Sequence, residues 1–376
     1  MSPCHGEDRG FESPMVRQLR RCSSVVEHQP SKLVIRVRFP PPAPAQTKPR
    51  KRGFFCFYQR GQLPCFSRKT RDFALPPFQV EKPWHNRNTM KKIKEQTLGG
   101  SRPLYHQSSL ALEGILFGGN EPGESPLNEC KKCSLSHCSF EMPYGVWNCS
   151  AITLDHVTFS KKARSPLWYN KAITMSDVKI YSDKAVRECY GILLKDVYLS
   201  GDEAGWKCHD IDFNHCIIQT QYLLFCSVGV KMEKTNATGP NALQYIEKGE
   251  IHDSVIVSED AFLHCKNVTI YDSDLTVDYL GWYSTDLKLV RCKIRGAQPL
   301  CYCHNLTLED CVMEGCQEAF EYSDIIKATI KGSIKSIKDP DKGIIEADHI
   351  DQIIQDVNRR DTYGKVTIIE RDKIKP

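Results

Sequence analysis

The stretch LKLVRCKIRGAQPLCYCHN, from Leu287 to Asn305, is followed by a second stretch of the same pattern, LTLEDCVMEGCQEAFEYSD, from Leu306 to Asp324. Both open with an apolar–polar–apolar triplet, which is the alternation of a half-buried strand. Apolar residues return at the sixth and eighth positions in each stretch. The pair therefore predicts short strands that recur every nineteen residues.

The same pattern extends over most of the chain. The steps between units are 19 residues, except for one of 21 after Ile152. The units begin at Cys133, Ile152, Ile173, Ile192, Ile211, Val230, Gly249, Val268, Leu287 and Leu306. A second strand is centred on the fifteenth position, which holds Trp147, Trp168, Trp206, Phe225, Leu263, Trp282 and Phe320. The units close on Gly191, Asp210, Gly229, Asn267, Asp286, Asn305 and Asp324, residue types that tolerate the left-handed backbone of a tight corner.

A fixed period of short strands without helices between them predicts a parallel β-helix, an all-β solenoid in which each turn completes the core of its neighbours. The preference for right-handed crossovers predicts a right-handed coil. Leucine-rich repeats are excluded because their consensus is missing. We expect about 11 or 12 turns within residues 90–376. Residues 347–356 (ADHIDQIIQD) read as a short helical cap before a last strand, KVTIIE.

Residues 1–89 have a different character. Ser23–His28 (SSVVEH) and Arg36–Pro40 (RVRFP) resemble the translated D-arm and T-arm of a bacterial transfer RNA gene. An alternative is a disordered, basic arm that binds nucleic acid. We interpret residues 1–89 as an extension outside the folded protein, disordered if it is made, and residues 90–376 as the β-helix domain. Met90 is then the expected start of translation, and the extension is set aside before fold reasoning.

Charge and cysteine content narrow the function classes. Residues 1–89 carry 17 Lys and Arg against 6 Asp and Glu, so residues 90–376 are acidic, with 34 against 40. The basic balance of the whole chain therefore comes from the extension, and we expect no nucleic-acid partner. No apolar run is long enough to cross a bilayer, so we expect no membrane partner. Fourteen of the 18 Cys lie in residues 90–376 without an export signal, which favours a reducing compartment, the cytoplasm.

Several segments together resemble a bacterial family of unknown function within the pectin-lyase-like β-helix class. They are ESPLNE, SPLWYN, DAFLHCKNVTIYDS, QPLCYCHNLTLEDC and AFEYSDI. The resemblance covers nearly all of residues 90–376 and none of residues 1–89. It implies the right-handed parallel β-helix fold and no particular reaction.

The repeat also predicts the direction of each side chain. We expect the Cys of the sixth and seventeenth positions to form an internal ladder of small core residues. The alternative is a zinc site that uses Cys301, Cys303 and His304, or Cys130 and Cys133. We expect the aromatic fifteenth position to stack inside the core, with sugar stacking as the alternative.

The sixteenth position should then face solvent on a flat sheet. Four successive turns carry His264, Tyr283, Tyr302 and Glu321 there, which are the candidate ligand-binding residues. Such a stripe fits a solvated face, a binding site for a glycan or another extended ligand, or acid–base catalysis. The recurring Asp253, Asp272 and Asp310 read as turn residues, with a uronate-type site as the alternative.

We expect a non-catalytic binding or scaffold protein that carries this exposed stripe, without cofactor or metal. The alternative is a carbohydrate-active enzyme, a polysaccharide lyase or glycosidase, that acts on an extended glycan. Asp274, Lys293 and Arg295 are the nearest charged cluster for such chemistry. The paired Asp and the Gly-His-Gly of β-helix hydrolases are missing, and no phosphate loop, dinucleotide fingerprint or nucleophile elbow is present.

Overall fold

The fold is described from a computed structural model. It covers residues 90–121, 123–356 and 366–371, together with two strands nearer the N-terminus, Ser24–Gln29 and Lys32–Val37. These two strands pair antiparallel, with Ser24 opposite Val37. The chain divides into two units, Met1–Ala74 and Leu75–Pro376. The other residues of 1–89 lie outside the described residues, so the transfer-RNA interpretation stays a prediction.

The larger unit is an all-β parallel solenoid of about 14 turns, and its described residues contain no helix. Fifteen strands stack in its first column: Lys91–Lys94, Leu110–Glu113, Lys131–Ser136, Ser150–Asp155, Lys171–Ser176, Tyr190–Lys195, His209–Asn214, Val228–Glu233, Glu247–His252, Lys266–Tyr271, Thr285–Val290, His304–Gln317, Ile326–Lys338, Gly343–Ile354 and Val366–Glu370. The expected parallel β-helix is confirmed.

Shorter strands complete each turn. The second column contains Thr97–Leu98, Leu116–Phe117, Ser139–Phe140, Thr158–Phe159, Lys179–Ile180, Tyr198–Ala204, Ile217–Leu223, Asn236–Thr238, Val255–Ser258, Asp274–Val277 and Lys293–Ala297. Val146–Trp147, Leu167–Trp168 and Val186–Arg187 form a three-stranded parallel sheet, and Asn241–Ala242 and Asp260–Ala261 are two further short strands.

The strand register matches the alignment read from the sequence. Cys133 lies beside Ile152, Ile152 beside Ile173, and so on up to Leu287 beside Leu306. The number of turns was underestimated because the end turns depart from the 19-residue step. Leu112 pairs with Leu135, 23 residues later, and Ile326 pairs with Gly343, 17 residues later.

The expected helical cap over residues 347–356 is wrong. Those residues continue the strand Gly343–Ile354, which pairs in parallel with Ile326–Lys338. Ala347 and Ile350 are buried, so pairing with the turn below and burial of these side chains override the local helical pattern. The final strand, Val366–Glu370, is confirmed and pairs with residues 343–347.

Apolar side chains fill the interior along the whole solenoid. Phe117, Phe140 and Phe159 stack on successive turns with ring centroids 4.5 and 4.6 Å apart. Each is fully buried, and Ile152 and Leu154 lie in the same core. One turn thus covers the apolar side chains of the next, as the solenoid principle requires.

Two internal columns of small polar residues run through this core. The members of the first are Cys130, Cys149, Asn170, Cys189, Cys208, Ser227, Cys265, Ser284, Cys303 and Ser323, and those of the second are Cys138, Cys216, Thr235, Ser254, Ser273, Cys292 and Cys311. Ser284 shows the contacts: its Oγ accepts the amide N–H of Cys265 at 2.9 Å and donates to the carbonyl of Phe262 at 2.7 Å. The columns therefore satisfy corner backbone groups that face the interior.

Candidate functional site

The exposed stripe lies on a corner of the solenoid and not on a flat strand, as the sequence had suggested. Tyr245, His264, Tyr283, Tyr302 and Tyr322 all have left-handed backbone, with φ between 52° and 60°. The chain turns here because the next first-column strand begins two residues after each of the first four. This corner repeats with the turns, so it aligns one side chain per turn.

The side chains at this corner form a stacked column, which we call the aromatic ladder and define as Tyr245, His264, Tyr283, Tyr302 and Tyr322. The ring centroids of successive members are 4.8, 5.0, 4.7 and 5.4 Å apart. The first three pairs are nearly parallel, at 14°, 10° and 14°. Each inner ring therefore covers the face of its neighbour, and the ladder presents ring edges to solvent.

The structure does not place Glu321 in the aromatic ladder. The step from Thr307 to Lys327 is 20 residues, one more than the period. Ser323 therefore takes the place expected for residue 322, which the amide of Cys303 marks by donating to Ser323 Oγ at 2.8 Å. Tyr322 stacks on Tyr302 instead, and the nearly buried Glu321 pairs with Lys338 at 3.2 Å.

The rings of the ladder are held uncharged at neutral pH. Burial lowers the pKa of His264. Burial, and then the negative potentials of Cys301 and Glu321, raise the pKa of Tyr283. Burial and Glu321 raise the pKa of Tyr302 as well. A tyrosine hydroxyl with a raised pKa is a poor general base near neutral pH.

The aromatic fifteenth position does not stack in the core, so that prediction is wrong. Trp147, Trp168, Trp206 and Trp282 are only half-buried, and the residue before each one faces the interior. The physical reason is the corner: interior residues such as Leu224, Leu243, Phe262 and Leu300 have φ of 53° to 61°, which interrupts the strand alternation on which the prediction rested.

These indole rings border the aromatic ladder. Trp282 meets Tyr302 edge-on at 5.3 Å and Tyr279 at 5.1 Å, and its Nε1 donates to the carbonyl of Gln298 at 2.6 Å. The sequence analysis did not select Tyr245, Tyr279, Trp282 or Tyr322 as site residues. Their common signal was the aromatic content around the fifteenth and sixteenth positions.

Nearer the N-terminus the same corner holds a cation–π stack. The guanidinium of Arg187 lies 5.1 Å from the ring centre of Trp168 and 5.6 Å from that of Trp206. Its Nε also pairs with Glu188 at 3.3 Å. A planar cation between two indoles ties three turns together.

The carboxylates considered for uronate chemistry have structural partners. Asp253, Asp272 and Asp310 have φ of 48° to 53°, in agreement with their interpretation as turn residues. Arg295 links Asp274 at 2.6 Å to Glu314 at 2.9 Å, and Lys293 pairs with the same Glu314 at 3.0 Å. The cluster is therefore neutralised within itself.

The cysteines considered for zinc do not converge with a histidine. Cys303 is buried and its Sγ donates to the carbonyl of Gly281 at 3.1 Å, whereas His304 is exposed and contacts Asp324 at 2.7 Å. Cys130 and Cys133 are buried and donate to the carbonyls of Leu104 and Lys131. All fourteen described Cys are free thiols, and thirteen of them are buried.

A family model matches residues 91–369, which is most of the chain and nearly all of the solenoid. The chain belongs to the family described as "Protein of unknown function (DUF3737)". No curated protein matches it. One similar solved structure is that of PfbA, a surface adhesin of Streptococcus pneumoniae, with 10% identity over 70% of this chain and 81% of that chain, and a TM-score of 0.32. In the described part of the DUF3737 chain, no helix is long and apolar enough to span a membrane.

Proposed function

We propose that this protein is a non-catalytic binding protein that holds an extended polymer along the aromatic ladder. The observation that carries the proposal is the alignment of five exposed or half-exposed rings on five successive turns. A rigid scaffold that repeats one contact at a constant spacing suits a ligand that repeats one chemical unit.

The spacing favours a glycan as this polymer. Turns of a parallel solenoid are about 4.8 Å apart, whereas an extended peptide returns a side chain to the same face only about every 6.7 Å. A linear pyranose chain repeats on the order of 5 Å, close to that turn spacing. A glycan could therefore place one sugar unit against each member of the ladder.

The ladder would bind such a chain by its ring edges. Because the rings cover one another's faces, stacking of sugar rings on Tyr283 or Tyr302 is blocked. Their hydroxyls and the His264 imidazole remain as hydrogen-bonding groups, and uncharged rings suit an uncharged glycan. Trp282 and Tyr279 add apolar contact beside the ladder.

Binding is a better fit than bond cleavage. Glycoside hydrolysis needs two carboxyl groups about 5–9.5 Å apart across the substrate. Beside the ladder, the Glu321 carboxylate is held by Lys338 in the interior, and the hydroxyls of Tyr283 and Tyr302 have raised pKa values. A carbohydrate-active enzyme is therefore the less favoured proposal.

The decisive experiment is a glycan-binding screen of the full chain, followed by calorimetry and a turnover assay on each ligand found. Tyr283→Ala together with Tyr302→Ala should abolish binding. Tyr190→Ala is the matched control, because Tyr190 stacks on His209 at 4.7 Å away from the ladder. Binding that survives the double substitution would reject the ladder as the site. Turnover that is lost in His264→Ala would support the enzyme instead.

Two finer proposals accompany this function. We propose membership of the pectin-lyase-like class within the parallel solenoids, supported by the internal columns of Ser, Thr, Cys and Asn. We also propose a cytoplasmic location with reduced thiols, supported by the fourteen free Cys in the described residues. Chromosomal tagging and cell fractionation would test the location.

A further inference from the structure

A second group of side chains lies at another corner, the one that follows the first-column strands. Asp155 ends the strand Ser150–Asp155, His156 follows it, and Asp177 follows the next strand, Lys171–Ser176. Asp155 pairs in register with Ser176, so His156 and Asp177 are neighbours on adjacent turns. Their nitrogen and carboxylate oxygen atoms all lie within 4.8 Å of one another.

The backbone holds this corner in place. His156 and Asp177 both have φ of 52°, and their amides donate to the carbonyls of Ser176 and Lys195 on the following turns, at 3.1 and 3.2 Å. On the other side the ring of His137 packs against His156, with centroids 4.9 Å apart. The position of the imidazole is therefore set by the fold.

The charge at this corner differs from that at the equivalent corners of later turns. Asp272 pairs with Arg291 at 2.6 Å, and Asp310 with Lys331 at 3.5 Å. Within the residues that the structure describes, neither Asp155 nor Asp177 forms an ion pair with Lys or Arg. Asp155 contacts only the imidazole of His156, at 3.0 Å, among charged groups. A cation at this corner would balance two neighbouring carboxylates.

We propose that Asp155, His156 and Asp177 bind a divalent transition-metal ion, with zinc as the best-suited ion. Zinc takes imidazole nitrogen and carboxylate oxygen at about 2.0–2.2 Å, so its ligands lie within about 4.4 Å of one another. The exposed side chains reach that separation from 4.8 Å by small rotations. An imidazole among the donors favours zinc, cobalt or nickel over magnesium and calcium, which prefer oxygen alone.

Three protein ligands leave a tetrahedral zinc ion one open position for water or a ligand atom. The side chains of Asp155 and His156 are 39% and 52% exposed, so a metal would be reached directly from solvent. The site is on a different corner from the aromatic ladder, and it does not depend on the proposed glycan.

The test is calorimetric titration of the untagged full chain with Zn²⁺, with Co²⁺ absorption as a second readout. His156→Ala and Asp177→Asn should each weaken Zn²⁺ binding by more than about tenfold, since even outer partners of a metal ligand contribute about 10–100-fold. Asn tolerates the left-handed backbone, so Asp177→Asn keeps the corner folded. A large excess of Mg²⁺ should not displace Zn²⁺.

The matched control is His252→Ala, which removes an imidazole that has a single carboxylate neighbour, Glu250, at 2.8 Å. This control should bind Zn²⁺ as tightly as the unaltered protein. Equal affinities of the His156→Ala, Asp177→Asn and unaltered proteins would overturn the proposal. So would a Co²⁺ spectrum with thiolate charge-transfer bands that persists in His156→Ala, because the metal would then be on cysteine.

Discussion

Single buried hydroxyls and thiols have a specific task in this solenoid. At each corner an amide points inward, and a Ser, Thr, Cys or Asn side chain on the next turn accepts its hydrogen. Cys216 donates its amide to Thr235 Oγ1 at 3.3 Å, and Thr235 donates its own to Ser254 Oγ at 3.2 Å. A small side chain with a lone pair is required there, which explains why Cys alternates with Ser in these columns.

Ser284 offers a direct test of this task. Ser284→Ala leaves the Cys265 amide and the Phe262 carbonyl without their partner, so the free energy of unfolding should fall by about 1–3 kcal/mol. Ser284→Cys should fall less, because Cys265 and Cys303 occupy the same column on the adjacent turns. Urea denaturation of both variants gives the comparison. Equal losses for Ala and Cys would show that the hydrogen bonds do not matter here.

His264 gives the aromatic ladder a predicted pH dependence. Its folded-state pKa is lowered by burial, so the unfolded chain takes up a proton first as the pH falls below about 6.5. The stability that His264 contributes is present above that pH and is lost as the pH falls through the folded-state pKa. His264→Tyr keeps the stack and removes the proton. Its melting temperature should therefore fall less between about pH 7.5 and 5.5 than that of the unaltered protein; the same fall in both would contradict this account.

At the scale of the turn, left-handed residues decide which way the chain goes. The corner residues range from Asp and Asn to Tyr, Leu and Phe, so neighbouring turns must enforce a backbone that most of these residues avoid. Hydrogen bonds between turns do so, such as that from the His264 amide to the Trp282 carbonyl at 2.8 Å. The position of the corner then fixes which side chains face solvent.

Gly239 tests how tightly successive turns are packed. It has φ of 151°, and a Cβ there would lie 1.6 Å from the carbonyl oxygen of Thr220. Gly239→Ala should therefore lower the free energy of unfolding by about 3 kcal/mol or more. Gly315→Ala is the control: its φ is 67° with nothing within 4 Å of the added carbon, so only the left-handed penalty of about 1–2 kcal/mol applies. Urea denaturation measures both, and a Gly239 cost no larger than the Gly315 cost would refute the close packing.

Across the whole molecule, stacking makes each turn depend on the turns above and below it. The thiols share this protection: burial raises the pKa of Cys216 to about 11 and that of Cys303 to about 12. A buried thiol with a raised pKa carries little of the reactive thiolate.

The state of the thiols follows as a prediction for the native protein. Labelling with N-ethylmaleimide and peptide mass spectrometry should find the thirteen buried Cys reduced, and slow to react until the protein is denatured. The half-buried Cys226 serves as the internal comparison and should react earlier. Disulfide-linked peptides from the solenoid, or zinc bound by thiolates, would contradict the prediction.

The sequence by itself determined the parallel solenoid and the register of ten successive units, from Cys133 to Leu306. A period of nineteen is a one-dimensional signal, and parallel stacking converts it directly into neighbours in space. It also predicted the Asp corner residues, and it selected His264, Tyr283 and Tyr302, which the structure aligns in one ladder.

Only the tertiary structure decided where the period ends and which way the corner side chains point. The 20-residue step that replaces Glu321 by Tyr322 is visible only when the turns are paired. The outward direction of Trp282 follows from left-handed backbone at the preceding position, which strand alternation does not anticipate. The strand at Gly343–Ile354 forms because the turn below offers a parallel edge, and the meeting of Asp155, His156 and Asp177 needs two turns in register. The physical reason is common to all four: each depends on contacts between turns, which the local sequence does not contain.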